Sequence, residues 1–102
     1  MAIKFFVGPV SKNVVDAVID FYNETKQPIG FIPSRRQIDY NGGYVNNWNT
    51  ISFTEYVETN APGIVIQRDH GGPEQGSAPD NGYRSLYTDA KYLRIIHIDP
   101  WK

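Results

Sequence analysis

Four short runs of β-branched and aromatic residues alternate along this chain with three stretches of helical periodicity. That alternation limits the fold more than any other feature. Lys4-Phe5-Phe6-Val7 reads as a first strand, closed by Gly8-Pro9. Ser11 or Asn13 can cap a helix whose apolar side is Val14, Val15, Val18, Ile19 and Tyr22. Asp16 is expected in its first turn, where the helix dipole favours an anion. The helix should fail near Pro28, and Ile29-Gly30-Phe31-Ile32-Pro33 reads as a second strand. Beyond the Asn41-Gly42-Gly43 turn, Asn49 or Thr50 can cap a second helix. Ser52 and Glu55 have capping-box spacing, and Phe53, Tyr56 and Val57 form the apolar stripe. Asn60-Ala61-Pro62-Gly63 closes that helix. Ile64 to Gln67 is a third strand and Asp69 to Gly82 a long loop. Asp80 or Asn81 can start a third helix, with Tyr83, Leu86, Ala90 and Leu93 on one side, before a fourth strand from Arg94 to Asp99.

The order β-α-β-α-β-α-β implies βαβ units and a parallel sheet. The 102 residues suffice for one small domain with its own core, and no linker or low-complexity tract divides them. Loops that follow strands are longer and more polar than loops that precede them, which places chemistry at the carboxyl ends of the strands. A doubly wound sheet of the flavodoxin kind is the competing topology. A sequential strand order with one-sided helices excludes it.

A net charge of −1 provides no basic field for nucleic acid. The absence of cysteine excludes disulfides and thiolate metal sites and fits a reducing compartment. The apolar run Phe5-Phe6-Val7 is too short for a secretory signal, and no stretch approaches the roughly 18 apolar residues of a membrane span. The expectation is a soluble cytoplasmic domain with neither nucleic acid nor membrane as partner.

The strongest candidate site is Asp69-His70, where an apolar strand turns abruptly polar before Gly71-Gly72-Pro73. Its functional reading is a proton-transfer carboxylate beside a metal-binding imidazole. Neighbouring strand residues point to opposite faces, so the two can share a site only if the chain already bends there. The plain alternative is a turn in which Asp69 bonds local amides and His70 is merely exposed. Gln67 has the parity of Asp69. His97 and Asp99 share a face of the fourth strand, and a carboxylate there is costly unless paired or metal-bound. Alternatively, Asp99 caps a helix next in the chain. Two carboxylates, a histidine and an amide suit a divalent cation, yet one His and one Asp fall short of the three protein ligands of a catalytic zinc. Arg35 and Arg36 offer guanidinium forks for a phosphate, or are surface arginines in weak ion pairs. Gly42-Gly43 can bring backbone amides close to a ligand, or is only a turn.

Together these segments resemble the class II tagatose-bisphosphate aldolase family, most of all its non-catalytic, chaperone-like subunit branch. Gln37-Ile38-Asp39-Tyr40-Asn41-Gly42-Gly43-Tyr44 is similar to that family's Gln-Val-x-x-x-Gly-Gly-Tyr segment. Asp69-His70-Gly71-Gly72-Pro73 is similar to its Asp-His-Leu-Gly-Pro, and Ile96-His97-Ile98-Asp99 to its Ile-His-Leu-Asp. Phe53-Thr54-Glu55-Tyr56-Val57 follows its Phe-x-Glu-Phe-Val helix. The sequence departs from the family at Ser34-Arg35-Arg36 and at Pro100-Trp101-Lys102, which leaves the substrate open.

The resemblance implies a TIM (β/α)8 barrel. Such a barrel needs about 250 residues, so residues 1–102 are expected to form its first half, four strands and three helices. They would be a fragment of a longer protein or a half-barrel that pairs with another chain. The implied function is metal-assisted cleavage or condensation of ketose bisphosphates, with zinc the first choice of metal. Asp69 would be the acid/base and His70 a metal ligand. Asp99 would match an acidic group at the end of the next strand. For such a function Arg35 or Arg36, with the Gly42-Gly43 amides, is expected to hold the phosphate of a phosphorylated sugar, and Gln37, Gln67 and Asp99 to complete its binding site. The other implied role is a non-catalytic subunit that stabilises a catalytic aldolase partner, or a homo-oligomer.

Overall fold

The computed structural model describes residues 3, 5–72, 75, 76, 80–93 and 95–98, the last four as backbone. Asp99 and Pro100-Trp101-Lys102 lie outside the described residues, as does the side chain of His97. The elements follow in the expected order: β1 (Phe5–Val7), α1 (Lys12–Thr25), β2 (Ile29–Phe31), α2 (Thr50–Asn60), β3 (Val65–Gly71), α3 (Tyr83–Tyr92) and β4 (Ile95–Ile98). All strand pairings are parallel, in the order β1-β2-β3-β4. Tyr56 of α2 donates to Asp16 of α1, Asn23 of α1 donates to the Asn60 carbonyl, and α2 lies against α3. Helices that touch in succession over a sequential sheet occupy one face of it. A doubly wound sheet, which reverses its strand order and covers both faces, is therefore excluded. Among the described residues, no helix is long and apolar enough to cross a membrane.

Local chemistry sets the helix ends. Ser11 caps α1 by accepting from the Val14 N–H at 3.2 Å. Lys26 ends it in the left-handed conformation, φ 58°, just before Pro28. Asp16 is not in the first turn, because the helix begins at Lys12. It pairs instead with Lys12, and hydrogen bonds from Lys12 and Tyr56 hold its carboxyl below the ordinary carboxylate range. The capping box of α2 is Asn49 with Ser52, not Ser52 with Glu55. The Asn49 side chain accepts from the Ser52 N–H at 2.7 Å, and Ser52 Oγ accepts from the Asn49 N–H at 2.9 Å. Asn49→Ala should cost about 1 kcal/mol and lower the melting temperature by roughly 4–8 °C in a calorimetric scan.

Register divides the sheet into two faces. Val7, Phe31 and Ile66 are aligned across β1, β2 and β3 and look toward the helices. There Phe31 and Trp48 each bring a ring centroid within 5.5 Å of Phe53. Ile38, Val45 and Trp48 are also buried, so the β2–α2 connection is a second wall of the core and not a solvated loop. The opposite face carries Phe6, Gly30, Val65, Gln67 and Asp69. A Cβ on Gly30 would sit 2.6 Å from the Phe6 ring and 2.7 Å from the Val65 carbonyl oxygen, so glycine lets that ring lie flat over β2.

Helix α3 departs from its expected stripe. Tyr83 and Ala90 are exposed, whereas Ser85, Asp89 and Leu93 face inward. The cause is on β3. Arg68 shares the helix-side parity of Ile66 and is fully buried, so the helix above it must offer a carboxylate rather than an apolar side chain.

Candidate site at the carboxyl end of β3

Strand β3 runs to Gly71 and therefore contains Asp69 and His70, which sequence alone places in a loop. Its pairing with β4 passes from Arg68↔Ile96 to Gly71↔Ile98, three steps against two. The extra residue makes a β-bulge, and His70 occupies it with φ 51°. A non-glycine residue in that left-handed region costs about 1–2 kcal/mol. This bend meets the condition for a shared site: His70 Nε2 lies 3.6 Å from Asp69 Oδ1, with the side chains 54% and 39% exposed. Both groups reach solvent, as proton transfer or ligation requires.

The β2–α2 connection borders the pair. Ser34 bridges to Asp69, and the Asp69 N–H donates to the Pro33 carbonyl at 3.0 Å. Gln37 is turned to local use: its Oε1 accepts from the Ser34 N–H at 3.0 Å, and its Nε2 lies toward Gly8 at the end of β1. Gln67 is half-buried on the same face as Asp69, as its parity predicts.

Arg35 is neither a surface arginine nor an open phosphate fork. It is 1% exposed, and each of its five N–H groups has an acceptor. Nε and Nη2 grip the Asp39 carboxylate at 3.0 Å each; Nη1 donates to the Gly72 carbonyl at 2.7 Å and to Asp80 at 2.9 Å; Nη2 also donates to Asp80. Burial pulls its pKa down, but the hydrogen bonds of Asp80 and Asp39 outweigh that and raise it, so the charge is permanent. The Gly42 and Gly43 amides are likewise committed, to the Asp39 and Trp48 carbonyls at 3.0 Å each. Of the expected anion ligands, Arg36 is the one left exposed, with no side-chain partner among the described residues.

A second buried guanidinium, that of Arg68, is not among the candidate site residues of the sequence. Arg68 Nε and Nη2 meet the two oxygens of Asp89 at 2.9 Å each, while Nη1 reaches the Ile38 and Pro33 carbonyls and Nη2 the Thr50 hydroxyl. Its signal was present: an arginine with the parity of Ile64 and Ile66 in a β-branched run must be buried and must find an acid. Arg35 braces the 33–39 segment from within by gripping Asp39, Arg68 bonds its Pro33 and Ile38 carbonyls, and Pro33 in turn takes the Asp69 N–H.

Among the described residues, no group of three His, Cys, Asp or Glu side chains gathers as a metal site. His70 and Asp69 are two groups, short of the three protein ligands that a catalytic zinc takes, so the described residues by themselves do not fit such a site. Two open concavities share Tyr40, Tyr83 and Arg84 beside α3, and neither is lined by the Asp69–His70 pair. Comparison with protein-family models, curated proteins and solved structures returned no match for this chain.

Proposed function

We propose that this chain is the first half of a (β/α)8 barrel of the class II aldolase type, acting on a phosphorylated ketose at the carboxyl ends of its strands. The observation that carries the reading is the bulge in β3, which gathers a carboxylate and an imidazole at one solvent-facing point. Four sequential parallel strands with one-sided helices agree with half a barrel. In this reading Asp69 Oδ moves the proton to or from the hydroxyl formed at the aldehyde carbon. His70 Nε2 is a ligand for a divalent cation, zinc first, completed by groups outside the described residues. Such a cation, when bound, polarises the ketose carbonyl. In the same reading Arg36, which is exposed, binds the phosphate.

A ketose bisphosphate such as tagatose 1,6-bisphosphate, incubated with the complete barrel and zinc, should release triose phosphate. Asp69→Asn should slow that release at least about a hundredfold. Release at the wild-type rate by the Asp69→Asn protein sinks the reading.

The commitment of Arg35 and of the Gly42 and Gly43 amides to internal partners favours a second reading, an accessory subunit that stabilises a catalytic aldolase. There the chain should co-purify with its partner, and Asp69→Asn should leave the pair's turnover unchanged.

A further inference from the structure

We propose that Arg35 is a positioning residue that holds His70 in its left-handed conformation and thereby aims the Asp69–His70 pair. This rests on the reading of that pair as the working site. The segment 69–72 is clamped at both ends by the segment 33–35. Pro33 takes the Asp69 N–H at 3.0 Å, and Arg35 Nη1 gives to the Gly72 carbonyl at 2.7 Å. His70, the strained residue, lies between those two attachments. Strain of this kind persists only where the surroundings over-determine it.

Arg35 is itself immovable. Asp39 grips one edge of its fork and Asp80, at the entry to α3, grips another. Its guanidinium also lies 5.8 Å from the centre of the Tyr40 ring. The chain after the clamp folds over this cluster so closely that a Cβ on Gly76 would sit 2.7 Å from Asp39 Oδ2 and 3.1 Å from Arg35 Nη2. A buried arginine thus ties the loop after β2 to the loop after β3 at the carbonyl two residues beyond His70. Lysine cannot do the same, because a single ammonium cannot match two carboxylates and a carbonyl with a planar fork.

The test uses the full chain and measures the conformation of His70 directly. A positive φ brings a residue's own N–H close to its Hα, giving a strong intraresidue nuclear Overhauser effect. Wild type should show it at His70. Arg35→Lys, measured where its amide spectrum shows α1 and β1 still folded, should lose it as His70 relaxes to the roughly tenfold better-populated negative-φ region. A folded Arg35→Lys chain that keeps the strong effect at His70 overturns the proposal.

Should Arg35→Lys prove too unstable for that spectrum, a thermodynamic cycle with His70→Gly decides, with all four proteins measured in an excluded osmolyte such as TMAO that keeps each of them folded. Losing the clamp relieves strain only where residue 70 is histidine, because glycine adopts positive φ without penalty, so Arg35→Lys should lower the folding equilibrium constant about tenfold more in the His70→Gly background. Equal losses in both backgrounds overturn the proposal, because a purely structural arginine would be indifferent to residue 70. Neither readout uses turnover. An inactive chain that shows both effects keeps the role of Arg35 and removes only the aldolase reading.

Discussion

Arg68→Met should destabilise the chain by about 3–5 kcal/mol, the range found when one partner of a buried ion pair is removed. Methionine fills much of the arginine stem but leaves the Asp89 carboxylate, 0% exposed, without a cation. It also takes a donor from the Ile38 and Pro33 carbonyls and from the Thr50 hydroxyl. Domains of this size are stable by only about 5–15 kcal/mol, so the loss is a large share of the total. In urea, where small proteins lose about 1–3 kcal/mol per molar, the unfolding midpoint should fall by a molar or more. The double substitution Arg68→Met with Asp89→Leu should recover most of the loss, since a well-packed apolar pair can replace a buried ion pair. A single variant within about 1 kcal/mol of wild type would contradict the burial and full pairing of Arg68.

Gly43→Ala should rank with it, at about 4–5 kcal/mol. The new Cβ would lie 1.9 Å from the Gln37 carbonyl oxygen and 2.7 Å from the Ile38 nitrogen. Those are backbone atoms that cannot swing away. The Ile38 N–H is bonded to the Ser34 carbonyl, the Val45 N–H to the Gln37 carbonyl, and the Ile38 carbonyl to Arg68. Gly42→Ala is the control. Its Cβ would meet nothing nearer than the Asn47 carbonyl oxygen at 3.8 Å, and only its φ of 102° opposes the change. That variant should lose about 1–2 kcal/mol. If denaturant melts give equal losses for the two glycines, the close approach at Gly43 is wrong.

The Gly42-Gly43 pair shows why motif reading and geometry part company. In sequence, adjacent glycines suggest amides opened to a ligand. In the fold, Gly43 is small because the chain doubles back on Gln37, and both amides are spent within the loop. Arg35 carries the same lesson. An arginine in a polar segment after a strand reads as an anion fork, but Asp39, Asp80 and the Gly72 carbonyl reach it first. Two of those partners lie 37 and 45 residues away in the chain, which no local pattern can register.

The sequence by itself determined the order of the elements, the parallel pairing it implies, and the abrupt change from apolar to polar residues at Asp69-His70. Those features follow from short-range chemistry: β-branched runs, helical spacing, proline and glycine stops, and the two-residue alternation of strands. Tertiary structure alone decided that β3 bulges and holds His70 at positive φ, and that α3 turns Ser85 and Asp89 inward in place of its apolar stripe. It also decided that Arg35 and Arg68 are internal frames rather than ligands for an anion. The physical reason is common to all three. A buried guanidinium must satisfy five donors, and it recruits carboxylates and carbonyls from whichever segments the fold brings within reach. Those long-range partners then dictate the conformation of the strand end where the candidate chemistry sits.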